Sequence, residues 1–368
     1  MKLKTSLKLQ RYLIHKSVNK TSYGVCIQTK LNGCIMKTYS LLAAAIAAAT
    51  LSMPASALNI VLTNDDSWST GNIQTLFAKL TEAGHSVVMS APCTGQSGKG
   101  GAIHFMEPVN VDRSKVEQNQ VCVGDTDESV AFSDFVEGTP VMAALYGIDV
   151  LAQEKWGQFP DLVISGPNEG NNLGYMTNNS GTLGAANVVI ARGIPAIAVS
   201  AFDADETKAP MVADVIVKIV SELVTNQQVN QPLLPKFTGL NVNTPEDMSN
   251  HLGYKFSQVG WNAGGLEVKF AGDMSQDQLV MAYVAQGILA KGYAATYEQA
   301  LAMAQAQYQG KAGVSIARDQ GLVDDESELS EGVLLEQGYI TISTIEANVQ
   351  ASRAKAAVTQ IKLNNLVK

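Results

Sequence analysis

Histidine and cysteine are scarce in this chain, with four of each in 368 residues. None of the cysteines (Cys26, Cys34, Cys93 and Cys122) forms a CxxC pair or a Cys/His set at ligand spacing, so zinc has no support. There is no GxSxG elbow and no cysteine placed as a nucleophile, so chemistry that attacks through a protein side chain lacks a carrier. Positive charge is also short: 26 Lys and Arg stand against 34 Asp and Glu, a formal charge of -8. That balance argues against a nucleic-acid surface, duplex DNA included. The apolar run from Tyr39 to Leu51 falls short of the roughly 20 residues that span a bilayer. What is present, 46% hydrophobic and 16% charged residues, describes a soluble globular protein of one large domain or two small ones.

Met36-Lys37-Thr38 leads into that apolar run, and Pro54 then precedes the small residues Ala55, Ser56 and Ala57. The pattern is a secretory signal peptide with an AxA cleavage site over residues 36–57, so the mature protein is expected to begin near Leu58. A periplasmic or secreted product without membrane association follows. Residues 1–35 are then expected to be a non-native upstream extension, the alternative being an unusually long basic n-region. Cleavage leaves only Cys93 and Cys122, for which export to an oxidising compartment favours a disulfide over two buried thiols.

The stretch LNIVLTNDD, Leu58 to Asp66, organises the rest. A β-branched and leucine run ending in Asn64, Asp65 and Asp66 reads as a buried parallel strand that delivers adjacent carboxylates to its carboxyl end, where open α/β sheets bind ligands. Two neighbouring carboxylates repel, and a hard divalent cation is the simplest compensation. Ile73, Leu76, Phe77 and Leu80 predict a helix to about Ala83, and His85 to Pro92 a second strand, which completes a right-handed βαβ unit. Phe105 to Val123 suits a short antiparallel excursion, and Asp125 to Ser129 a solvated turn.

Two polar, glycine-rich loops flank this core. GQSGKGGAI, Gly95 to Ile103, is not a triphosphate loop, because Gly100 follows the GK and no helical pattern continues. Ser97 there reads as a hydroxyl offered to the Asp pair. The second loop, Ser165 to Ala186, follows the buried strand Asp161 to Ser165. Asn168 offers a neutral oxygen to a cation, and Ser180-Gly181-Thr182 opens a helix whose amides could receive an anion. Ser180 and Thr182 could equally be only an N-cap and first turn. Asn178-Asn179-Ser180 is formally a glycosylation sequon and is read as chance.

LTNDD, QSGKGG, VEGTP, SGPNEGNNLGYMTNNSGTLGAA, LNVNTP and GYITIS occur in the order found in the SurE family of survival proteins and 5'/3'-nucleotidases, which this chain resembles over most of Leu58 to Ser257 and again from Glu331. The resemblance implies a Rossmann-like three-layer α/β/α core with a mostly parallel sheet, over residues 58–260. Residues 261–368 are then a helical insertion and a C-terminal strand and helix used for oligomerisation. It also implies one divalent ion, Mg²⁺ or Mn²⁺, held by Asp65, Asp66, Ser97 and Asn168, with Asp65 and Asp66 catalytic. Asn64, Ser97, Ser180, Gly181 and Thr182 would line the phosphate pocket, and the protein would form a homodimer or homotetramer. The family usually reads NDDG where this chain has Ser67 and then Trp68; Asn179 replaces a tyrosine before SGT; and Gln276 to Gly310 is an alanine- and glutamine-rich helical addition.

The chemistry is coherent without the family name. A cation held by two carboxylates, a hydroxyl and an amide oxygen leaves open positions for water and a phosphate oxygen. With the resemblance added, the expected function is an exported metal-dependent hydrolysis of nucleoside 5'- or 3'-monophosphates by activated water. The alternatives are a broad acid phosphatase or short-chain polyphosphatase at the same site, and a non-catalytic periplasmic nucleotide-binding module. Whether Asp65 also accepts the water's proton stays open. Trp68 is either a nucleobase-stacking residue or a core tryptophan, Lys99 a phosphate contact or a solvated lysine, and His104 a substrate neighbour or a surface residue. His85 reads as structural, and Asp324-Asp325 as a surface pair.

Overall fold

A computed structural model describes residues 57–126, 136–290, 292–318 and 327–366. The upstream extension, nearly all of the signal segment, Cys26, Cys34, the end of the acidic turn and Asp324-Asp325 lie outside the described residues.

The elements follow the apolar spacing closely. Strand β1 is Asn59–Thr63, helix α1 is Gly71–Glu82 and β2 is Ser86–Pro92. A two-residue β3, Val111–Asp112, turns back on β4, Gln120–Val123, the short antiparallel excursion that the sequence suggests. Helix α2, Pro140–Tyr146, is capped by Thr139, whose Oγ1 accepts the Met142 N–H at 3.2 Å, with Pro140 in the first turn. A π turn, Gly147–Leu151, carries it into α3, Ala152–Trp156. Then come β5 (Leu162–Glu169), α4 (Gly181–Ala191), β6 (Ala196–Ala201), α5 (Ala209–Thr225) and β7 (Thr238–Asn243). The chain continues through β8 (Tyr254–Ser257), β9 (Leu266–Ala271), α6 (Gln278–Ala290), α7 (Tyr297–Tyr308) and β10 (Gly313–Arg318). It ends with α8 (Glu331–Glu336), β11 (Ile340–Glu346) and α9 (Arg353–Leu363).

Nine strands form one sheet in the order β3-β4-β2-β1-β5-β6-β7-β11-β8. From β4 through β7 every pairing is parallel, so the α/β expectation holds, with helices on both faces. Strand alternation divides the apolar residues between two cores. Ile60, Leu62, Met89, Leu162 and Ile164 face α1 and α5, whereas Val61, Val88 and Val163 face α2 and α4. Fully burying each such side chain contributes roughly 1.5–3 kcal/mol relative to exposure.

The C-terminal strand is part of this sheet: β11 pairs antiparallel with β7 and parallel with β8. The segment that follows β8 builds a satellite, in which β9 and β10 pair antiparallel as a two-stranded ribbon, joined through α6 and α7, which pack on one another. Met281, Ala285, Ala300 and Ala304 are buried there, which accounts for the alanine-rich composition. Among the described residues no helix is long and apolar enough to cross a membrane.

Cys93 and Cys122 are joined, closing a span of 29 residues between the end of β2 and β4. Loop closure of this length lowers the entropy of the unfolded chain by about 3–4 kcal/mol. Cys93→Ser with Cys122→Ser is therefore expected to lower Tm by several degrees in a thermal melt; an unchanged melt would show that the link adds nothing to the β2–β4 ladder.

Candidate active site at the carboxyl end of β1 and β5

Strand order reverses direction between β1 and β5, and the crevice at such a switch point is where open α/β sheets bind ligands. Asn64, Asp65 and Asp66 follow β1 directly, and Asn168 and Glu169 end β5. β5 changes register against β6 between Ser165 and Asn168, which turns its last residues out of the ladder. Gly166 makes this possible: its φ is 117°, and a Cβ there would lie 2.1 Å from the Val199 carbonyl oxygen.

Asp65 is only 3% exposed, and its Oδ1 accepts a hydrogen bond from the Thr182 hydroxyl at 2.5 Å. The amino end of α4 sits directly on this carboxylate. A Cβ on Gly181 would fall 2.7 Å from Asp65 Cβ and 2.8 Å from Pro140 Cγ, so only glycine lets the helix approach so closely. The Asp65 carbonyl accepts Gln96 N–H at 2.6 Å, which ties the Gln96-Ser97 turn to the same point. Asp66 Oδ2 accepts the Glu169 N–H at 2.9 Å, which fixes the end of β5 against it.

Behind these groups lies a buried polar network. The Asn172 side chain donates to Ser200 Oγ at 2.9 Å and to Thr182 Oγ1 at 3.4 Å. Its N–H donates to Asn243 Oδ1 at 2.9 Å, and its carbonyl accepts from the side chains of Asn241 and Asn243. Asn241 also donates to Glu331 Oε2 at 3.0 Å, an atom that the Ser343 hydroxyl shares. Thr182, which locks Asp65, is thus linked through Asn172 to β6, β7 and β11.

Burial dominates the electrostatics. It raises the Asp65 carboxyl to about 6, against the lowering effect of the Thr182 hydroxyl and the backbone N–H groups of Gly181 and Thr182. Asp66 rises to about 8, first by burial and then through the charges of Asp65 and Glu169. Among the described residues neither carboxylate has a Lys or Arg partner. Gln96 Oε1 is likewise buried with no hydrogen-bond donor.

One buried and one partly buried carboxylate on consecutive residues, without a Lys or Arg partner among the described residues, offer hard oxygen donors that fit a divalent cation of the Mg²⁺ or Mn²⁺ kind. No group of three His, Cys, Asp or Glu is arranged for a metal among the described residues, so neutral oxygens would complete the shell. Asn168 Nδ2 donates to the Gly170 carbonyl at 2.6 Å, which leaves its Oδ1 as the free acceptor. Ser97 is exposed on the turn anchored by Gln96.

The remaining predicted residues have local partners. Ser180 Oγ caps α4 by accepting Leu183 N–H at 3.2 Å. Asn64, fully buried, closes its own turn: its side chain donates to the Ser67 carbonyl at 2.8 Å and accepts Ser67 N–H at 3.3 Å. Ser67 itself has φ 117°, the conformation that the glycine of NDDG takes freely. A non-glycine residue there costs of order 1–3 kcal/mol; the hydroxyl, donating to the Cys93 carbonyl at 2.9 Å, offsets part of this.

Trp68 is buried in the core with Lys115 over its ring, so it offers no face to a nucleobase. Lys99 is paired with Glu137, and His104 lies 3.4 Å from Glu107. His85 is structural: its Nδ1 accepts Leu58 N–H, and burial lowers its pKa. Sequence reasoning missed Asn172, Asn241, Asn243 and Glu331. The signal was there in polar residues interrupting apolar strands, as in LNVNTP.

The Survival protein SurE family model matches residues 60–264, and the chain belongs to that family. It is 36% identical over 203 residues to an acid phosphatase of Yarrowia lipolytica, covering 50% of this chain and 56% of that protein. It is 35% identical over 188 residues to the 5'-nucleotidase SurE of Thermosipho melanesiensis, covering 51% of this chain and 65% of that one. The chain thus spans about half to two thirds of the length of these curated relatives. The crystal structure of the SurE protein from Aquifex aeolicus superposes with a TM-score of 0.58 at 25% identity, over 83% of this chain and 99% of that chain.

Both carboxyls sit above their unfolded pKa of about 3.8, so without a cation the folded state favours their protonated forms. The stability they give is complete below pH 3.8 and is lost as pH rises through about 6 and then about 8. The Tm of chelated protein is expected to fall between pH 5 and 9, and Mn²⁺ to raise it more at pH 8 than at pH 5. A flat profile, with no metal effect at either pH, would contradict this electrostatic picture.

Proposed function

We propose that this chain is an exported phosphomonoesterase that hydrolyses nucleoside 5'- or 3'-monophosphates and depends on one divalent cation, Mg²⁺ or Mn²⁺. The observation that carries the reading is the adjacent pair Asp65, buried, and Asp66, partly buried, at the switch point with no Lys or Arg partner among the described residues. A hard cation bound there would supply charge neutralisation for the phosphoryl group and lower the pKa of a water for hydrolysis. Asp65, held by Thr182, and Asp66, held by Glu169 N–H, form the anchoring pair. Ser97 and Asn168 provide the neutral oxygens. Gly181 and Thr182 act through Asp65, and the positive end of α4 lies over the crevice. The likeness to a 5'-nucleotidase and to an acid phosphatase supports a phosphate monoester as substrate.

The acid phosphatase likeness favours a second reading, a broader phosphomonoesterase at the same site. Export is supported by the Cys93–Cys122 link and by the signal pattern ahead of Leu58. A dimer or tetramer is supported by α9, which buries no residue and exposes Val358 and Ile361. N-terminal mass of the exported product should give Leu58, and sedimentation of that product a multiple of the chain mass. Retention in the cytoplasm, or a monomer, would overturn the corresponding part.

Phosphate release from AMP, a 3'-monophosphate and p-nitrophenyl phosphate tests the activity. Chelation and Asp65→Asn are each expected to lower turnover by about 100-fold or more, because each removes the cation or its anchoring charge. Comparable rates on p-nitrophenyl phosphate and AMP would favour the broader reading. Full turnover in chelator would refute metal dependence, and no turnover on any monoester would refute the enzyme.

A further inference from the structure

We propose that Ser67 is a positioning residue of the cation site: its hydroxyl ties the Asp65-Asp66 turn to Cys93, which the disulfide holds on β4, and so fixes the turn that carries Ser97. The inference rests on the reading of Asp65, Asp66 and Ser97 as holders of a divalent cation, and adds to it the link that sets their spacing.

Ser67 stands at φ 117°, where a glycine is free of strain and a serine is not. A strained residue persists only where its surroundings over-determine it, and such residues gather at functional sites. Ser67 is 7% exposed, and its hydroxyl donates to the Cys93 carbonyl at 2.9 Å. The next residue follows suit, Trp68 N–H donating to the Pro92 carbonyl at 3.0 Å. In the opposite direction, Gln96 N–H donates to the Asp65 carbonyl at 2.6 Å. Residues 65–68 are therefore laced to residues 92–96 at both ends of the turn.

This lacing hangs on Cys93. Pro92, the last residue of β2, has no N–H to give to the ladder. The strand end is held instead by Cys93 N–H, donating to the Val123 carbonyl at 2.9 Å, and by the covalent link to Cys122 on β4. Residues 94–99 then reach the next anchor, where the Gly100 carbonyl lies so close to α4 that a Cβ on Gly184 would fall 2.0 Å from its oxygen. The Ala102 carbonyl accepts the Thr139 hydroxyl at 2.7 Å just beyond. Between the anchors Gln96 is buried, whereas Ser97 and Gly98 are exposed. Ser97 is thus placed by its anchors rather than by burial. Loss of the Ser67 hydroxyl removes the bond that sets the first anchor against the carboxylates. Removing a group that orients metal-holding residues costs roughly 10- to 100-fold in metal affinity.

The experiment compares the wild type with Ser67→Gly, Ser67→Ala and the variant carrying both Cys93→Ser and Cys122→Ser, each below its melting temperature. Amide hydrogen exchange over residues 94–101 is read in chelated protein, and Mn²⁺ affinity by calorimetric titration. Both Ser67 variants are expected to exchange faster there and to bind Mn²⁺ roughly tenfold more weakly. Their Tm values should nevertheless part, with Ser67→Gly above Ser67→Ala, because glycine relaxes the φ that alanine keeps. A serine that serves stability alone would give affinities that follow Tm, with Ser67→Gly binding as the wild type does. The cysteine variant is expected to loosen the same turn, and adding Ser67→Gly to it to weaken binding no further, since both act on Cys93. Wild-type exchange and wild-type affinity in Ser67→Gly overturn the proposal and leave the cation reading standing. Absence of Mn²⁺ binding by the wild type overturns that reading and the proposal with it. If the cysteine variant does not fold, the two serine variants decide alone.

Discussion

Two carboxylates on consecutive residues, one buried and one partly so, are a costly arrangement. Burial lifts Asp65 to about 6, burial and then the charges of Asp65 and Glu169 lift Asp66 to about 8, and among the described residues neither has a lysine or arginine partner. Only a rigid surround keeps such a pair from turning outward to solvent. The Thr182 hydroxyl, the amino end of α4 and the Glu169 N–H, all from the β5–β6 crossover, and the Gln96 turn after β2 supply that surround. The electrostatic strain is what makes a cation the natural complement of the site.

That rigidity extends well beyond the crevice. Asn172 ties Thr182 to Ser200 and Asn243, and Asn241 carries the connection to Glu331 and Ser343. Ser343 lies on β11, so the last strand of the chain completes the support of the first. Buried polar networks of this kind fix one arrangement because a partly satisfied alternative leaves orphaned groups in a low dielectric. Strand β11 is therefore as much a part of the site's foundation as the strands that carry the carboxylates.

Much of this was legible along the chain, because it is encoded by local period. LNIVLTNDD has the apolar run of a doubly covered strand, and Ile73, Leu76 and Leu80 have helical spacing; both elements form where expected. Cys93 and Cys122 were readable as a pair once the other two cysteines were set aside with the signal segment. The use of Thr182 was not readable. A hydroxyl in a first helical turn looks the same whether it meets a ligand or a carboxylate 117 residues away. The Asn172–Asn243 and Asn241–Glu331 contacts join residues 71 and 90 apart, and no local pattern reports them. Burial of Trp68 was open for the same reason, since the residue stands in a polar stretch and its neighbours come from β2 and from Lys115.

The claim that the Asp65–Asp66 pair is a cation site under electrostatic strain is tested most directly by calorimetric titration of Mn²⁺ into chelated protein at pH 7, in buffers of differing ionisation enthalpy. With one carboxyl near 6 and the other near 8, binding of one ion per chain should expel roughly one proton from the pair. An absence of binding, or binding that releases no proton, would contradict it.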